Sequence, residues 1–225
     1  MTGIICALQY EAELLISKLE NANKKTISNI EFNYGKFNKQ DVVIAICGVG
    51  KVFAAICAQT MILEFKPNLI INTGVAGAVS PLLNCGDITV AESVVQHDMD
   101  TSPLGDPVGL ISGINVINFK CQKETTESII KISKNLGHKT ISGVIASGDQ
   151  FVANSDKKDF LQNNFKAIAC DMEAAAIGHT CFVNATDFCI IRAISDSADG
   201  SAHLDYPTFS KQAANNAANI LIELL

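Results

Sequence analysis

Two acidic residues, Glu173 and Asp196, occupy positions in the sequence at which a carboxylate could carry out chemistry. Glu173 follows Asp171 in the run A-C-D-M-E-A-A-A-I-G-H, where a predicted strand passes into a helix. Asp196 ends the run F-C-I-I-R-A-I-S-D, which is typical of a strand buried on both faces. Open α/β sheets bind their ligands at the carboxyl ends of strands, so both acids are expected near a site. The structural alternative is that one acid favours a helix dipole and the other stabilises a turn.

Three further features near predicted strand ends are candidates for the same site. Glu11 follows the apolar run at residues 3–8 and begins a helix, so it is either a first-turn acid or a third carboxylate. Gly74 and Gly77 in N-T-G-V-A-G-A let the backbone approach a ligand, or they serve strand–helix packing alone. The G-V-G-K stretch at residues 48–51 lacks the spacing of a phosphate-binding loop and predicts a tight turn before a helix.

A site that combined these elements would suit a nucleoside. The residues expected to converge are Glu11, Val75, Ala76, Gly77, Phe151, Met172, Glu173 and Asp196. A carboxylate such as Glu173 can accept both hydrogens of a vicinal diol, while Phe151 can stack on a heterocycle and the backbone near Val152 can read its edge. A partly desolvated aspartate has a raised pKa and can donate a proton, and Glu11 could take one from water. This is the two-carboxylate logic of an inverting glycosidic cleavage.

Arg192 is the only arginine in the chain. A phosphorolytic enzyme holds a phosphate dianion, usually with arginines and the amides of helix ends. Arg192 lies within a predicted strand, where it is better placed to orient neighbouring acids. Water is therefore favoured as the nucleophile.

The elements that must position these residues alternate between strands and helices. Predicted strands cover residues 3–8, two segments within 27–47 parted by a turn at 38–41, and residues 68–75, 86–95, 140–146 and 188–194. Predicted helices start at Glu11, span 52–64 before Pro67, span 124–135, run from an N-cap at Ser155 to about 164, and start near 205–207. This order predicts a single α/β domain over residues 1–225, with three α/β/α layers around a central mixed, largely parallel sheet. The aperiodic segment 97–112 is a candidate lid or interface loop.

Composition and charge exclude several classes of protein. The chain has 225 residues, 48% hydrophobic and 18% charged, and a net charge of -6, which disfavours binding to nucleic acids and to anionic membranes. No apolar run reaches the roughly 18 residues of a membrane span, and the amino terminus is predicted to be a first strand, not a signal peptide. The eight cysteines form no C-x-x-C pair, so we expect reduced core cysteines in a cytoplasmic protein.

The motifs together resemble a known family. They are A-L-Q-Y-E, G-V-G-K, I-I-N-T-G-V-A-G, G-D-I, H-D-M-D, S-G-D-Q-F-V, D-M-E-A-A-A-I-G-H and R-A-I-S-D-S-A-D, in this order over nearly the whole chain. The sequence resembles the bacterial 5′-methylthioadenosine/S-adenosylhomocysteine nucleosidases of the purine nucleoside phosphorylase-like superfamily. The resemblance implies a hydrolase that releases adenine from these nucleosides, and from 5′-deoxyadenosine as a further candidate, without a metal or organic cofactor.

The resemblance also implies roles for individual residues. Glu11 would activate the attacking water and Asp196 would protonate adenine N7. The remaining implied binding residues are Glu173, Met172 and Arg192 around the ribose, Phe151 and Val152 at adenine, and Leu8, Val49 and Tyr206 at the 5′ substituent. The family is usually homodimeric, with the loop near Thr101 reaching the active site of the partner.

Two departures from the family pattern concern the 5′ group. Many members have serine at the position of Val75, and the loop at 101–110 is less aromatic here, with Asp106 where an aromatic residue often occurs. The alternatives are a futalosine-type nucleoside hydrolase, a purine nucleoside phosphorylase and a nucleoside-binding protein without turnover.

Overall fold

The computed structural model describes residues 1–225, except the side chain of Leu204. It contains ten strands and six α-helices. The strands are β1 (Thr2–Cys6), β2 (Glu20–Ile27), β3 (Ile30–Phe37), β4 (Gln40–Ile46), β5 (Leu69–Ala78), β6 (Ile88–Gln96), β7 (Phe119–Lys120), β8 (Thr140–Ser147), β9 (Ala167–Asp171) and β10 (Asp187–Asp196). The helices are α1 (Gln9–Ile16), α2 (Lys51–Phe65), α3 (Lys123–Asn135), α4 (Ser155–Phe165), α5 (Ala174–Val183) and α6 (Ala202–Leu224).

The strands form one mixed sheet that closes on itself. Strand β5 pairs with β10, β10 with β6, β6 with β8, β8 with β9, and β9 again with β5. From β5 the sheet also extends through β1 and β4 to the antiparallel strands β3 and β2. The predicted α/β class and mixed sheet are confirmed, and the closure brings together strands that are distant in sequence.

Helices cover both faces of the sheet, as the predicted three layers require. One core contains the buried faces of α2 and α5, including Met61 and Ile177. A second core contains α1, α3 and α6, including Leu15, Ile129 and Leu221. Each face buries aliphatic side chains from the strands between them, and this two-sided burial explains why β10 reads as an almost continuous apolar run.

Strands β5 and β9 bring two distant acidic segments to one place. They run antiparallel and pair through Gly77 with Cys170 and Ala78 with Ala169, near the carboxyl end of each strand. Beside them, β5 and β10 run parallel, with Asp196 opposite Gly77 after a bulge that follows Ile194. The carboxyl ends of β5, β9 and β10 therefore meet, although β9 is antiparallel to β5.

The structure corrects three predictions about element boundaries. The exposed sequence E-N-A-N-K-K-T-I forms strand β2, which the search for apolar alternation missed because the strand has no buried face. The N-cap of α4 is Asn154, whose side chain accepts a hydrogen bond from the Lys157 amide at 2.8 Å, and not Ser155. Helix α6 begins at Ala202, ahead of the predicted start, so that Pro207 lies inside it.

The early start of α6 has a local cause. The Asp199 carboxylate accepts hydrogen bonds from the amide and hydroxyl of Ser201, at 2.9 and 2.8 Å, and organises a turn directly before the helix. Pro207 then removes one backbone donor, close to the helix start.

The sequence also predicts reduced cysteines and no membrane span. All eight cysteines are free, and six of them are buried. No helix in the described part of the chain is long and apolar enough to span a lipid bilayer.

Candidate active site

A pocket lies where the carboxyl ends of β1, β5, β9 and β10 meet the loops after β4 and β8. Its empty space is about 550 Å³ with the open mouth included. Twelve residues proposed from the sequence line it: Leu8, Glu11, Val49, Val75, Ala76, Gly77, Phe151, Val152, Met172, Glu173, Asp196 and Tyr206. Ala7, Gln150, Cys170, Asp171 and Ser195 complete the lining.

Glu11 is held by three backbone amides. Its Oε2 accepts hydrogen bonds from Ala7 and Leu8, both at 2.9 Å, and its Oε1 accepts one from Val75 at 3.1 Å. The bond from Leu8 also caps α1, so the structural explanation of a first-turn acid is part of its role. A carboxylate has about four acceptor sites, and the three amides leave one for a water molecule.

Burial governs the protonation of Glu11. The residue is 4% exposed, and burial raises its pKa, while the charge of Arg192 and the three amides oppose the rise. These donors favour the ionised carboxylate, which is the form that a general base needs.

Asp196 lies at the end of β10 and is 3% exposed. Its Oδ2 accepts a hydrogen bond from the Ser195 hydroxyl and its Oδ1 accepts one from the Ala198 amide, both at 2.9 Å. Burial raises the pKa of Asp196 above its usual range. The position thus favours a carboxylic acid that can hold a proton for donation.

Glu173 lies between β9 and α5, opposite the G-V-G-K turn. The Gly50 amide donates a 2.8 Å hydrogen bond to its Oε1. Burial and the charge of Asp171 raise the pKa of Glu173 to about 7, although the Gly50 amide opposes the rise. Its second oxygen is free to accept hydrogen bonds from a ligand, since no partner for it is seen among the described residues.

Gly74 and Gly77 explain why β5 can pass so close to two carboxylates. A Cβ on Gly74 would lie 2.5 Å from Glu11 Oε1, and one on Gly77 would lie 2.9 Å from Asp196 Oδ1. The two glycines are three residues apart, roughly 10 Å along a strand. The two carboxylates therefore approach β5 at different points along the strand.

Aromatic and aliphatic side chains form the rest of the wall. Phe151 is 50% exposed, and its ring lies edge-to-face with Tyr206 at a centroid distance of 5.6 Å. Val152 is buried beside it, while Val49 is exposed at the pocket mouth. Half-exposed aromatic rings of this kind offer a surface to a planar heterocycle.

Arg192 does not line the pocket but supports it from below. It is 1% exposed and forms a buried ion pair with Asp171, with Nη2 2.5 Å and Nε 3.0 Å from Oδ2. Its Nη2 also donates to the side-chain oxygen of Asn72, and Asp171 accepts a hydrogen bond from the Ser147 hydroxyl. The arginine therefore orients one neighbouring acid, Asp171, in line with the prediction from its sequence context.

The described lining of the pocket contains no lysine, arginine or histidine. A phosphate dianion would accordingly face Glu11, Glu173 and Asp196 without a cationic side chain to hold it. Within the described residues, no group of three or more His, Cys, Asp or Glu side chains could hold a metal ion.

Thr101 lies outside the pocket of its own chain. Its hydroxyl donates a 2.8 Å hydrogen bond to Asp106 in the long loop after β6. The start of this loop is fixed to α2, because Asp98 forms a 2.7 Å ion pair with Lys51. The role of Thr101 in a partner's site stays a prediction.

Sequence reasoning missed the polar groups that hold the carboxylates. Gly50, Ser195 and Asp171 belong to the quoted motifs, but no role was assigned to them from the sequence. In the structure Gly50 hydrogen-bonds to Glu173, Ser195 hydrogen-bonds to Asp196, and Asp171 pairs with Arg192. The glycines of G-V-G-K are the one available signal: Gly48 and Gly50 have φ of +94° and +101°, values that favour glycine.

Comparisons with known proteins define the class first. The family described as the phosphorylase superfamily matches residues 2–225, and the chain therefore belongs to it. A curated relative from Staphylococcus haemolyticus (strain JCSC1435), named 5′-methylthioadenosine/S-adenosylhomocysteine nucleosidase, is 35% identical over 226 residues, which are 100% of this chain and 99% of the relative. Within the superfamily, the chain belongs to the family of these nucleosidases.

Solved structures agree with this assignment. The structure of the Neisseria meningitidis nucleosidase of the same name, in complex with methylthio-immucillin-A, is 33% identical and superimposes with a TM-score of 0.96. The superposition covers 99% of this chain and 97% of the Neisseria meningitidis chain. A futalosine hydrolase from Helicobacter pylori strain 26695 is also similar, with 29% identity, a TM-score of 0.94 and coverage of 100% and 97%.

Proposed function

We propose that the protein hydrolyses the N-glycosidic bond of 5′-methylthioadenosine and S-adenosylhomocysteine and releases adenine. The observation that carries this proposal is the convergence of Glu11, Glu173 and Asp196 in one pocket whose described lining has no cationic side chain. The names of the nucleosidase relatives support the substrate class.

The proposed reaction assigns one task to each carboxylate. Asp196 donates its proton to adenine N7, so that the base leaves as a neutral molecule with the electrons of the glycosidic bond. Glu11 takes a proton from a water molecule, whose oxygen forms the new bond to the anomeric carbon through an oxocarbenium-like state. Glu173 accepts hydrogen bonds from the ribose hydroxyls, with Met172 packed against the sugar and Phe151 against adenine.

Hydrolysis and phosphorolysis can be separated by their products. We expect adenine and the free 5-methylthioribose at equal rates with and without inorganic phosphate, because water is the nucleophile. The Asp196→Asn variant, with the same buffers, controls for background cleavage. A sugar 1-phosphate as the main product in phosphate buffer would contradict the proposal.

A futalosine-type substrate is the second candidate, and the likeness to the H. pylori futalosine hydrolase supports including it. A panel of methylthioadenosine, S-adenosylhomocysteine, 5′-deoxyadenosine, adenosine, inosine and aminofutalosine separates the candidates by kcat/KM. The highest value for aminofutalosine would replace the proposed substrates. Tight binding of adenosine without release of base would instead support a nucleoside-binding protein.

We also propose that the protein is a homodimer that uses the outer face of α2 and α5. These two helices pack together and expose a set of large apolar side chains: Val52, Phe53, Ile56, Leu63, Phe182 and Val183. An exposed apolar patch of this kind indicates an interface. In a dimer with a two-fold axis, the same patch on each of the two copies would be buried against the other. The long loop after β6 begins beside the same face, where Asp98 forms an ion pair with Lys51 of α2. From this position the loop could place Thr101 in the partner's pocket.

Light scattering tests the dimer. We expect a mass twice the 24.0 kDa of one chain at micromolar concentration. The Ile56→Glu variant should shift the protein towards monomer, whereas Leu82→Glu, at an exposed leucine elsewhere, should not. A wild-type monomer at all concentrations would contradict the proposal.

We further propose a cytoplasmic location. Eight free cysteines, six of them buried, favour a reducing compartment. Fractionation of the native host would test this directly.

A further inference from the structure

Three hydrogen bonds join Lys51, Asp98 and Asp149 in a closed ring. The Lys51 amide donates to Asp149 Oδ1 at 2.7 Å, the Asp149 amide donates to Asp98 Oδ2 at 2.9 Å, and the Lys51 ammonium donates to Asp98 Oδ1 at 2.7 Å. Each residue belongs to a different segment, because Lys51 begins α2, Asp98 begins the long loop after β6, and Asp149 lies in the loop after β8. None of the three belongs to the described lining of the pocket.

The first connection from the ring to the pocket runs through Gly50. Gly50 directly precedes Lys51, and its amide donates the 2.8 Å hydrogen bond to Glu173 Oε1. Two consecutive amides at the start of α2 are therefore held by two carboxylates, those of Asp149 and Glu173. Asp149 also packs against the turn, since a Cβ on Gly50 would lie 3.0 Å from its Oδ1. Because the two amides are adjacent in the chain, a shift of the Lys51 amide moves the donor that holds Glu173.

The second connection runs through the loop after β8, which carries Phe151. At the start of this loop, the Gly148 amide donates to the Asp171 carbonyl at 3.2 Å, and a Cβ on Gly148 would lie 2.5 Å from the His97 ring. Asp149 comes next, and both its amide and its carboxylate belong to the ring. Phe151 follows two residues later and is half exposed on the pocket wall. The ring therefore holds this loop to α2 where its pairing with the sheet ends.

Charge makes the ring stronger than three neutral hydrogen bonds. The Lys51 and Asp98 side chains are only 20% and 18% exposed, so water screens their ion pair less than an exposed one. Burial alone would raise the pKa of Asp98, but the Lys51 ammonium and the Asp149 amide hold it below its usual value. Asp98 is therefore ionised at neutral pH, and hydrogen bonds to an ionised group are stronger than those between neutral groups.

We propose that the ring formed by Lys51, Asp98 and Asp149 positions Glu173 and Phe151 in the pocket. Both acids of the ring are then positioning residues, which act through the backbone of the turn before α2 and of the loop after β8. The same ring fixes the start of the long loop after β6. The position of that loop and the geometry of the pocket therefore depend on each other.

The kinetic consequence of this inference rests on the proposed nucleosidase function, whereas its structural consequence does not. Glu173 and Phe151 are proposed to bind the nucleoside, while Glu11 and Asp196 carry the chemical step. Opening the ring should therefore weaken substrate binding more than it slows turnover.

Amide exchange in ligand-free protein, followed by NMR, tests the ring without a substrate. Asp98→Ala removes two of the three hydrogen bonds but leaves the Gly50 amide with its acceptor, Glu173. We expect the Gly50 amide to exchange about fivefold faster than in the wild type, because the turn that presents it has lost support. Asp100→Ala removes a carboxylate of the same loop, which accepts a hydrogen bond from the Ser102 amide, and is the matched control. Unchanged Gly50 exchange in Asp98→Ala, or an equal increase in Asp100→Ala, overturns the proposal.

Kinetics with 5′-methylthioadenosine test the effect on the site. Asp149→Ala removes the acceptor of the Lys51 amide and should raise KM about tenfold, the scale of one hydrogen bond to a charged group, with kcat within about threefold of the wild type. Asp149→Asn keeps the Oδ1 acceptor without the charge, and its KM should stay within about twofold of the wild type. An Asn variant as impaired as the Ala variant would assign the effect to charge and overturn the positioning role.

A double-mutant cycle identifies the closed ring as the cause. Asp98→Ala should raise KM by a similar factor, and Asp98→Ala with Asp149→Ala should add little, because either substitution opens the same ring. Increases in KM that multiply independently overturn the proposal.

The two measurements separate failure of this inference from failure of the proposed function. Faster Gly50 exchange in Asp98→Ala of a protein that releases no adenine would uphold the ring and reject the nucleosidase. Release of adenine with an unchanged KM in both Ala variants would keep the nucleosidase and overturn the positioning role.

Discussion

Arg192 and Asp171 form an ion pair in the floor of the pocket, with both side chains almost fully buried and Nη2 2.5 Å from Oδ2. The pair connects β10 to the end of β9, the strand that precedes Glu173. Because Arg192 is engaged in this pair, the single arginine of the chain is unavailable to a ligand. The stability of the pocket floor depends on each of the two buried charges being neutralised by the other.

Removing one partner of this pair should be strongly destabilising. We expect Arg192→Met to lower the free energy of unfolding by about 3–5 kcal/mol, because Asp171 is left buried and unpaired. Urea denaturation measures the change. Lys139→Met, which removes the exposed Lys139–Asp87 pair, is the control and should cost about 1 kcal/mol or less. Equal losses for the two variants would contradict the importance of burial.

The glycine at position 74 should be required for activity more than for folding. In Gly74→Ala, the new Cβ would fall 2.5 Å from Glu11 Oε1 and push the carboxylate off its three amide donors. We expect kcat to fall by roughly 10²-fold, the scale of general-base catalysis, as measured by adenine release. Gly200→Ala, with open space around the position, is the control. Full activity of Gly74→Ala would argue against Glu11 as the base.

Substitutions of Asp196 and of Glu11 should lower turnover for different chemical reasons. Asp196→Asn keeps the shape of the side chain but removes the proton donor, so turnover of methylthioadenosine should fall by roughly 10²-fold or more, with a smaller effect on binding. Glu11→Gln should also lose turnover, for lack of an activated water. Asp156→Asn, at an exposed position at the start of α4, controls for charge.

A nitrophenyl riboside distinguishes the two roles, because its leaving group needs no protonation. Asp196→Asn should keep much of its activity on this substrate, whereas Glu11→Gln should not. If both variants lose activity equally, the division of roles is wrong.

Glu173 should make stability depend on pH. Its pKa is raised to about 7 in the folded protein, so between about pH 5 and 7 the folded state holds a proton that the unfolded state has released. Its contribution to stability is full below the unfolded pKa and is lost as pH rises through 7. Relative to Glu173→Gln, the wild type should therefore lose about 2–3 kcal/mol between pH 5 and 8. Parallel stability profiles of the two proteins would rule out the raised pKa.

Some features of the fold and site are local enough to be predicted from the sequence. The apolar run before Asp196 and the helix start at Glu11 depend on neighbouring residues, so both acids could be assigned to strand ends. The lone Arg192 within a buried strand likewise predicted a structural cation. Local patterns failed where exposure removed the apolar signal, as in β2, and where adjacent capping residues competed, as at Asn154 and Ser155.

Only the tertiary structure decided how these pieces meet. The antiparallel pairing of Gly77 with Cys170 brings the segment of Glu173 beside Asp196, and strand pairing over 93 residues leaves no periodic trace in the sequence. The amide of Gly50 reaches Glu173, and Tyr10 reaches Tyr206, for the same reason. The sequence alone determined which residues could carry charge and where strands end, because these depend on short-range composition. The closure of the sheet decided which of them share a pocket, because it depends on packing between distant segments.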